Sequence, residues 1–186
     1  MNAKIRWISI CVASMLQVVV LQPVAHATPL TQWATSAKAT TEFAGYPANN
    51  VAGVPDADGC RSPSGVWIPL HPVLVDSITL KYKTPVTPQK VNVYQNNFKN
   101  VVSTVQVSMD GIEWITIYEG DISLGIKGTC NSKKNYDDIL SIPVTDFSGL
   151  VAYVKVTVDQ SVINNFAQID AVSLFAVSYT HLRAHE

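Results

Sequence analysis

Residues 101–119 read Val-Val-Ser-Thr-Val-Gln-Val-Ser-Met-Asp-Gly-Ile-Glu-Trp-Ile-Thr-Ile-Tyr-Glu. Two runs of β-branched and aromatic residues flank Asp110-Gly111, and an Asp-Gly pair in that setting marks a β-hairpin. The side-chain faces decide the loop length. A two-residue loop would set Val105 against Thr116 and Val107 against Trp114. Ile115 and Ile117 would then lie opposite Gln106 and Thr104. A three-residue loop, Met109 to Gly111 with Gly111 left-handed, sets Val105 against Ile115 and Ser103 against Ile117. It keeps the aliphatics on one face and is the expected register.

Strand-like runs lie on both sides of this hairpin. Asp76 to Lys83 alternates, with Ile78, Leu80 and Tyr82 on one face and Ser77, Thr79, Lys81 and Lys83 on the other. Lys90 to Gln95 alternates with Val91 and Val93 inward. Val151 to Val158 does so with Val154, Val156 and Val158. Ile139 to Val144 and Gln168 to Phe175 complete the later strands. Thr31 to Phe43 is expected to be one first strand with small side chains, anchored by Trp33. Val66 to Leu70 is a short apolar segment, with Pro69 marking an edge or strand end. Gly45 to Ser64, Thr84 to Pro88, Asp121 to Asp138 and Gln160 to Ala167 are loops or turns, rich in Gly, Pro, Asn and Asp. No stretch carries a helical period. Eight or nine short punctuated strands imply an all-β antiparallel sandwich or jelly roll.

The ends set the domain limits. Met1 to Ala27 has Lys4 and Arg6, an apolar run from Ile8 to Leu21, and Ala25-His26-Ala27 before Thr28. This is the pattern of a secretory signal peptide, and it places the protein in the periplasm or outside the cell. The apolar run is shorter than the roughly 20 residues a membrane span needs, so no span is expected after cleavage. Val177 to Glu186 resembles a peptide translated from sequencing-adaptor DNA, and is expected to be an artefact or a disordered tail. The folded unit is therefore expected at residues 28–176. The whole chain of 186 residues has a net charge of −1, with its basic residues scattered. That argues against nucleic acid as a partner. Cys60 and Cys130 remain after the leader. Two cysteines in an exported protein are expected to form one disulfide. A loop of that length could stabilise the fold by roughly 4 kcal/mol on the chain-entropy model.

Four stretches carry a family resemblance. They are Trp33-Ala34-Thr35-Ser36-Ala37; Tyr46-Pro47-Ala48 with Gly53-Val54-Pro55-Asp56, Gly59-Cys60 and Trp67; Tyr94-Gln95 after Val91-Asn92-Val93; and Val158-Asp159-Gln160-Ser161 leading to Ile169-Asp170-Ala171-Val172. Together they resemble bacterial secreted domains of the galactose-binding-like, discoidin-type β-sandwich superfamily. They are also similar to the scarf domain of pappalysin-type metalloproteases, a non-catalytic module. The resemblance spans Thr31 to Ala176 and implies a binding role. Where related sequences carry Trp-Asn-Glu before the Ile-Asp-Ala-Val, this chain has Phe166, Ala167 and Gln168, so a carboxylate is missing.

Candidate chemistry follows. Tyr94, Gln95, Asn96, Asn97 and Phe98 close a strand. An aromatic face beside amides suits a sugar, the ring stacking on C–H surface and the amides bonding hydroxyls. Asn164, Asn165 and Phe166 are a second such cluster. Both patterns also suit a polar loop tip with a packed aromatic. Trp67 and Trp114 stand in strand-like runs, where packing is the ordinary role. Asn50, Asp56 and Asp58 carry hard oxygen ligands for calcium. The resemblance implies a structural calcium near that loop, and ordinary Asx turns explain the same residues. Catalytic signals are sparse. His71 is the one histidine between the leader and the tail, and no nucleophile elbow, His-Glu-x-x-His or P-loop occurs. The chain is therefore expected to be a non-catalytic module for carbohydrate or a cell-surface ligand. The alternatives are a protein-interaction piece of a longer secreted protein and, third, a small hydrolase.

Overall fold

The structure, a computed structural model, describes residues 26–57, 64–122, 126–127, 138–145, 147–161 and 163–180. The expected disulfide cysteines, Cys60 and Cys130, lie outside the described residues, as do Asp58 and residues 181–186.

The described residues form eleven strands, against the eight or nine expected: β1 (His26–Trp33), β2 (Ser36–Ala39), β3 (Val75–Val86), β4 (Pro88–Asn96), β5 (Phe98–Lys99), β6 (Val102–Ser108), β7 (Ile115–Glu119), β8 (Ile126–Lys127), β9 (Asp138–Pro143), β10 (Val151–Asp159) and β11 (Gln168–Thr180). One sheet has the order β1-β11-β4-β9 and a second has β2-β3-β10-β6-β7. β5 and β8 form a two-stranded ribbon. The strand pairs are antiparallel throughout. Apart from one 3-10 turn at Ala48–Val51, the described residues hold no helix.

The two large sheets pack face to face on their aliphatic sides. Ile78, Leu80, Val105, Val107, Val154 and Val156 come from the five-stranded sheet. Val91, Val93, Ile142, Val172 and Leu174 come from the four-stranded one. Alternation places them there, because successive strand residues point to opposite faces. Tyr82 adds a polar tie: its hydroxyl donates to the Val172 carbonyl at 3.1 Å inside the core. Burial pushes that phenol well above its ordinary range.

Four expectations are corrected. Thr31 to Phe43 is not one strand. β1 ends at Trp33 in the four-stranded sheet and β2 begins at Ser36 in the other. Ala34 is buried at the crossing, and Thr35 donates its backbone N–H to Lys81. The turn at Thr84 to Pro88 shrinks to Thr87, because β3 runs on to Val86 and β4 starts at Pro88. The expected end at Ala176 falls inside β11. Val177 to Thr180 continue the strand and pair with His26 to Pro29 of β1.

The hairpin register also differs. Val107 pairs with Ile115 and Gln106 with Thr116; a bulge follows, and Val105 then pairs with Tyr118. The loop between β6 and β7 therefore runs from Met109 to Trp114. Gly111 is left-handed as expected, with φ 78°. Side chains lengthen the loop by capturing its amides. The Ser108 hydroxyl accepts from the Asp110 and Gly111 N–H groups, and the Asp110 carboxylate accepts from those of Ile112 and Glu113. Such local bonds compete with a tight ladder turn.

Candidate functional site at one end of the sandwich

Segments 41–57 and 64–70, Gln160 and segment 163–168 meet where β4 ends and β11 begins. Trp67 forms an antiparallel bridge with Ile169 and is fully buried, its indole N–H donating to the Thr41 carbonyl at 2.9 Å. Phe43 donates its backbone N–H to Ile68. Gln160, fully buried, holds the third segment. Its amide donates to the His71 carbonyl at 2.8 Å and the Leu74 carbonyl at 3.3 Å, and its Oε1 accepts from the Ala167 N–H at 2.8 Å.

An aromatic group caps this end. Phe43 lies 5.3 Å from Phe166, edge-on, and 6.2 Å from Tyr46. Tyr46 and Phe166 pack on a small core of Ala57, Val66 and Ile68. Phe43 is 39% exposed. Asn164 and Asn165 precede Phe166, Asn165 accepting from the Phe166 N–H. Asn97 donates its side-chain amide to the Phe166 carbonyl at 3.5 Å.

Asp170 lies beneath this rim. Gln95 pairs with Ile169 and Tyr94 with Ala171, so Asp170 is the extra residue of a β-bulge. A bulge re-aims a side chain. Asp170, 1% exposed, turns one oxygen toward the 56–57 loop and accepts the Asp56 and Ala57 N–H groups at 3.2 and 3.3 Å. Among the described residues its second oxygen has no hydrogen-bond partner. Burial, with the Asp56 charge adding to it, pushes Asp170 up to about 7 against the lowering pull of the two amides.

The structure unites some of the predicted residues and separates others. It brings Asn97 and Phe166 into contact, and Asn96 pairs with Gln168 in the ladder. Gln95 and Asn96 are each only 2% exposed, because they turn into the packed end of the sheet. They are placed as framework rather than as ligand-facing amides. Phe98 is half-buried against the main core. Tyr94 lies on the outer face of the four-stranded sheet, its ring 5.4 Å from Trp33. Trp114 is half-buried with the Lys155 ammonium 4.4 Å above its ring.

Of the expected calcium residues, Asn50 donates its amide to the Val66 carbonyl at 3.0 Å and Asp56 stands beside Asp170, while Asp58 lies outside the described residues. Among the described residues no group of three His, Cys, Asp or Glu could hold a metal ion. The aromatic rim gains Phe43 and Tyr46, which sequence reasoning missed. Their only local signal was aromatic spacing within a turn-rich stretch.

Three comparisons bear on this geometry. A family model described as Pappalysin-1, SD scarf domain, C-terminal, matches residues 23–185. No curated protein matches. Among solved structures, CpGH89CBM32-5 from Clostridium perfringens, in complex with GalNAc-beta-1,3-galactose, aligns at 18% identity. It covers 76% of this chain and 94% of its own, with a TM-score of 0.54. Chitosan-binding module 1 of a chitosanase/glucanase from Paenibacillus sp. IK-5 aligns at 18%, covering 76% and 95%, with a TM-score of 0.53. The family 32 module of AlyQ, in complex with 4,5-unsaturated mannuronic acid, aligns at 16%, covering 77% and 97%, with a TM-score of 0.50. These likenesses show the galactose-binding-like β-sandwich fold.

Proposed function

We propose that this chain, which belongs to the Pappalysin-1 SD scarf-domain family, is an exported, non-catalytic module that binds carbohydrate at the aromatic end of its sandwich. The observation that carries the reading is the meeting of Phe43, Tyr46 and Phe166 beside Asn97, Asn164 and Asn165. Rings supply a face for sugar C–H surface, and amides supply directed hydrogen bonds. Solved modules of the same fold hold sugars: one a GalNAc-galactose disaccharide, another an unsaturated uronate. Their likeness supports the class of ligand and leaves its identity open to experiment.

The test is a glycan array probed with the chain and with Phe43→Ala and Asn165→Ala variants. Both positions are exposed enough to change without unfolding the domain. Binding that falls at least tenfold in Phe43→Ala, with Tyr94→Ala unaffected, is the expected result. A signal lost in Tyr94→Ala alone would move the site to the outer sheet face. A blank array would favour the second reading, a protein-interaction module. One observation favours that alternative: Leu70, Val73, Leu74 and Val75 are 43, 48, 51 and 60% exposed within one short stretch. Clustered exposed aliphatics are a feature of protein contacts.

A further inference from the structure

We infer a second binding surface, on the outer face of the five-stranded sheet, for an acidic polysaccharide carrying carboxylate or sulfate on its sugars. The ladder registers define it. One outward row runs Ser36, Lys81, Tyr153, Ser108. The next runs Lys38, Thr79, Lys155, Gln106, Thr116. Lys83 follows Lys81 on the same face, because the intervening Tyr82 is buried. Four lysines thus share one face of a chain whose net charge is −1. Lys38, Lys81 and Lys83 are exposed. Of the outward carboxylates of this sheet, Asp159 lies in the row of Val75 and Glu119 on the far edge strand in the row of Ser77, while Asp110 stands beside Ser108 at the end of the first row, away from Lys38 on the opposite edge strand. Among the described residues, the side-chain contacts of Lys81 and Lys155 are with the rings of Tyr153, at 5.8 Å, and Trp114, at 4.4 Å.

A groove of about 440 Å³ crosses this face, lined by Lys38, Lys81, Ser36, Ser77, Thr79 and Tyr153 among others. Outward lysines two residues apart sit about 7 Å from each other along a strand, and neighbouring strands are about 4.8 Å apart. That is a grid of positive charge with hydroxyls between. Hydroxyls pair with sugar hydroxyls and ammonium groups with acidic substituents. The composition favours a polysaccharide over a single-stranded nucleic acid, which needs a run of open rings for base stacking. Here both aromatic rings already lie under ammonium groups. This surface is separate from the aromatic end, so either site can fail without the other.

The experiment is affinity electrophoresis of the full chain in gels containing polygalacturonate, at low and high salt. Single-stranded oligothymidylate and phosphatidylserine vesicles are assayed in parallel. The expected result is retardation by polygalacturonate that weakens at high salt, as screened charge pairs must. It should weaken at least tenfold in a Lys38→Gln/Lys81→Gln/Lys83→Gln variant whose near-ultraviolet dichroism is unchanged, and remain in Phe43→Ala. If the triple variant does not fold, Lys38→Gln and Lys83→Gln are read singly, each expected to weaken retardation severalfold. Three results would overturn the inference: no retardation at low salt, retardation indifferent to these lysines, or tighter binding of the oligonucleotide or the vesicles than of polygalacturonate.

Discussion

Asp170 accepts the backbone N–H of Asp56 across 114 residues of sequence, at 3.2 Å, and this bond joins the bulge of β11 to the loop beneath the aromatic rim. The carboxylate that makes it is buried, and its other oxygen is unpaired among the described residues. The bond therefore has a pH dependence. Asp170 is pushed up to about 7, above the roughly 3.9 of an unfolded Asp. Between about pH 4 and 7 the folded chain binds more protons than the unfolded one. Stability must fall as pH rises through that window and level off above it. Burial is the main cause and the exposed Asp56 adds only a screened charge, so the linkage is on the order of a few kcal/mol. Asp170→Asn keeps an acceptor for the two amides and cannot ionise. Urea titrations from pH 5 to 8 should show the slope in the natural chain and a flatter line in Asp170→Asn. Parallel slopes would remove Asp170 as the cause.

Gln160 is expected to be the most sensitive polar residue of the loop end. Its amide satisfies the carbonyls of His71 and Leu74 and the N–H of Ala167 from a fully buried position. Gln160→Leu fills similar space and leaves those backbone groups unpaired. The expected loss is about 3 kcal/mol. Limited proteolysis should cut between residues 161 and 167 in the variant well before any cut appears in the natural chain.

A side chain at Gly65 would crowd the 56–57 loop. The glycine's φ is +96°, and a Cβ there would stand 2.6 Å from the Asp56 carboxylate and 3.2 Å from the Ala57 backbone. Gly65→Ala is expected to cost about 2 kcal/mol or more, through strain and displacement of the 56–57 loop. Gly45→Ala, also left-handed but with nothing within 4 Å, is the matched control and should cost less. Equal melting temperatures for the two variants would contradict the close approach.

The hairpin loop depends on Asp110. Its carboxylate is held below the usual range by the Ile112 N–H, then the Glu113 N–H and the Ser108 hydroxyl. A lowered folded value means that the stabilisation is present above the unfolded pKa and is lost as pH falls through the folded one. Asp110→Ala should lower the melting temperature by a few degrees at neutral pH and by less in acid. An effect that does not shrink in acid would point to something other than these bonds.

Local alternation determined the sandwich. Ile78, Leu80 and Tyr82 on β3, and Val154, Val156 and Val158 on β10, face inward because a strand turns successive residues to opposite sides, a rule that needs no distant contact. The left-handed Gly111 was legible for the same reason, since Asp-Gly chemistry is local. What lies between strands was not. The bulge that exposes Asp170 to the 56–57 loop, and the turning inward of Gln95 and Asn96 beside the outward Tyr94, depend on pairings tens of residues apart. The gathering of Phe43 and Phe166 is of the same kind. The lysine face was legible as residues and illegible as a patch. Lys38, Lys81 and Lys155 are scattered along the chain, and only the register of β2, β3 and β10 makes them neighbours. Register is set by summed packing across two sheets, so it is a property of the folded whole.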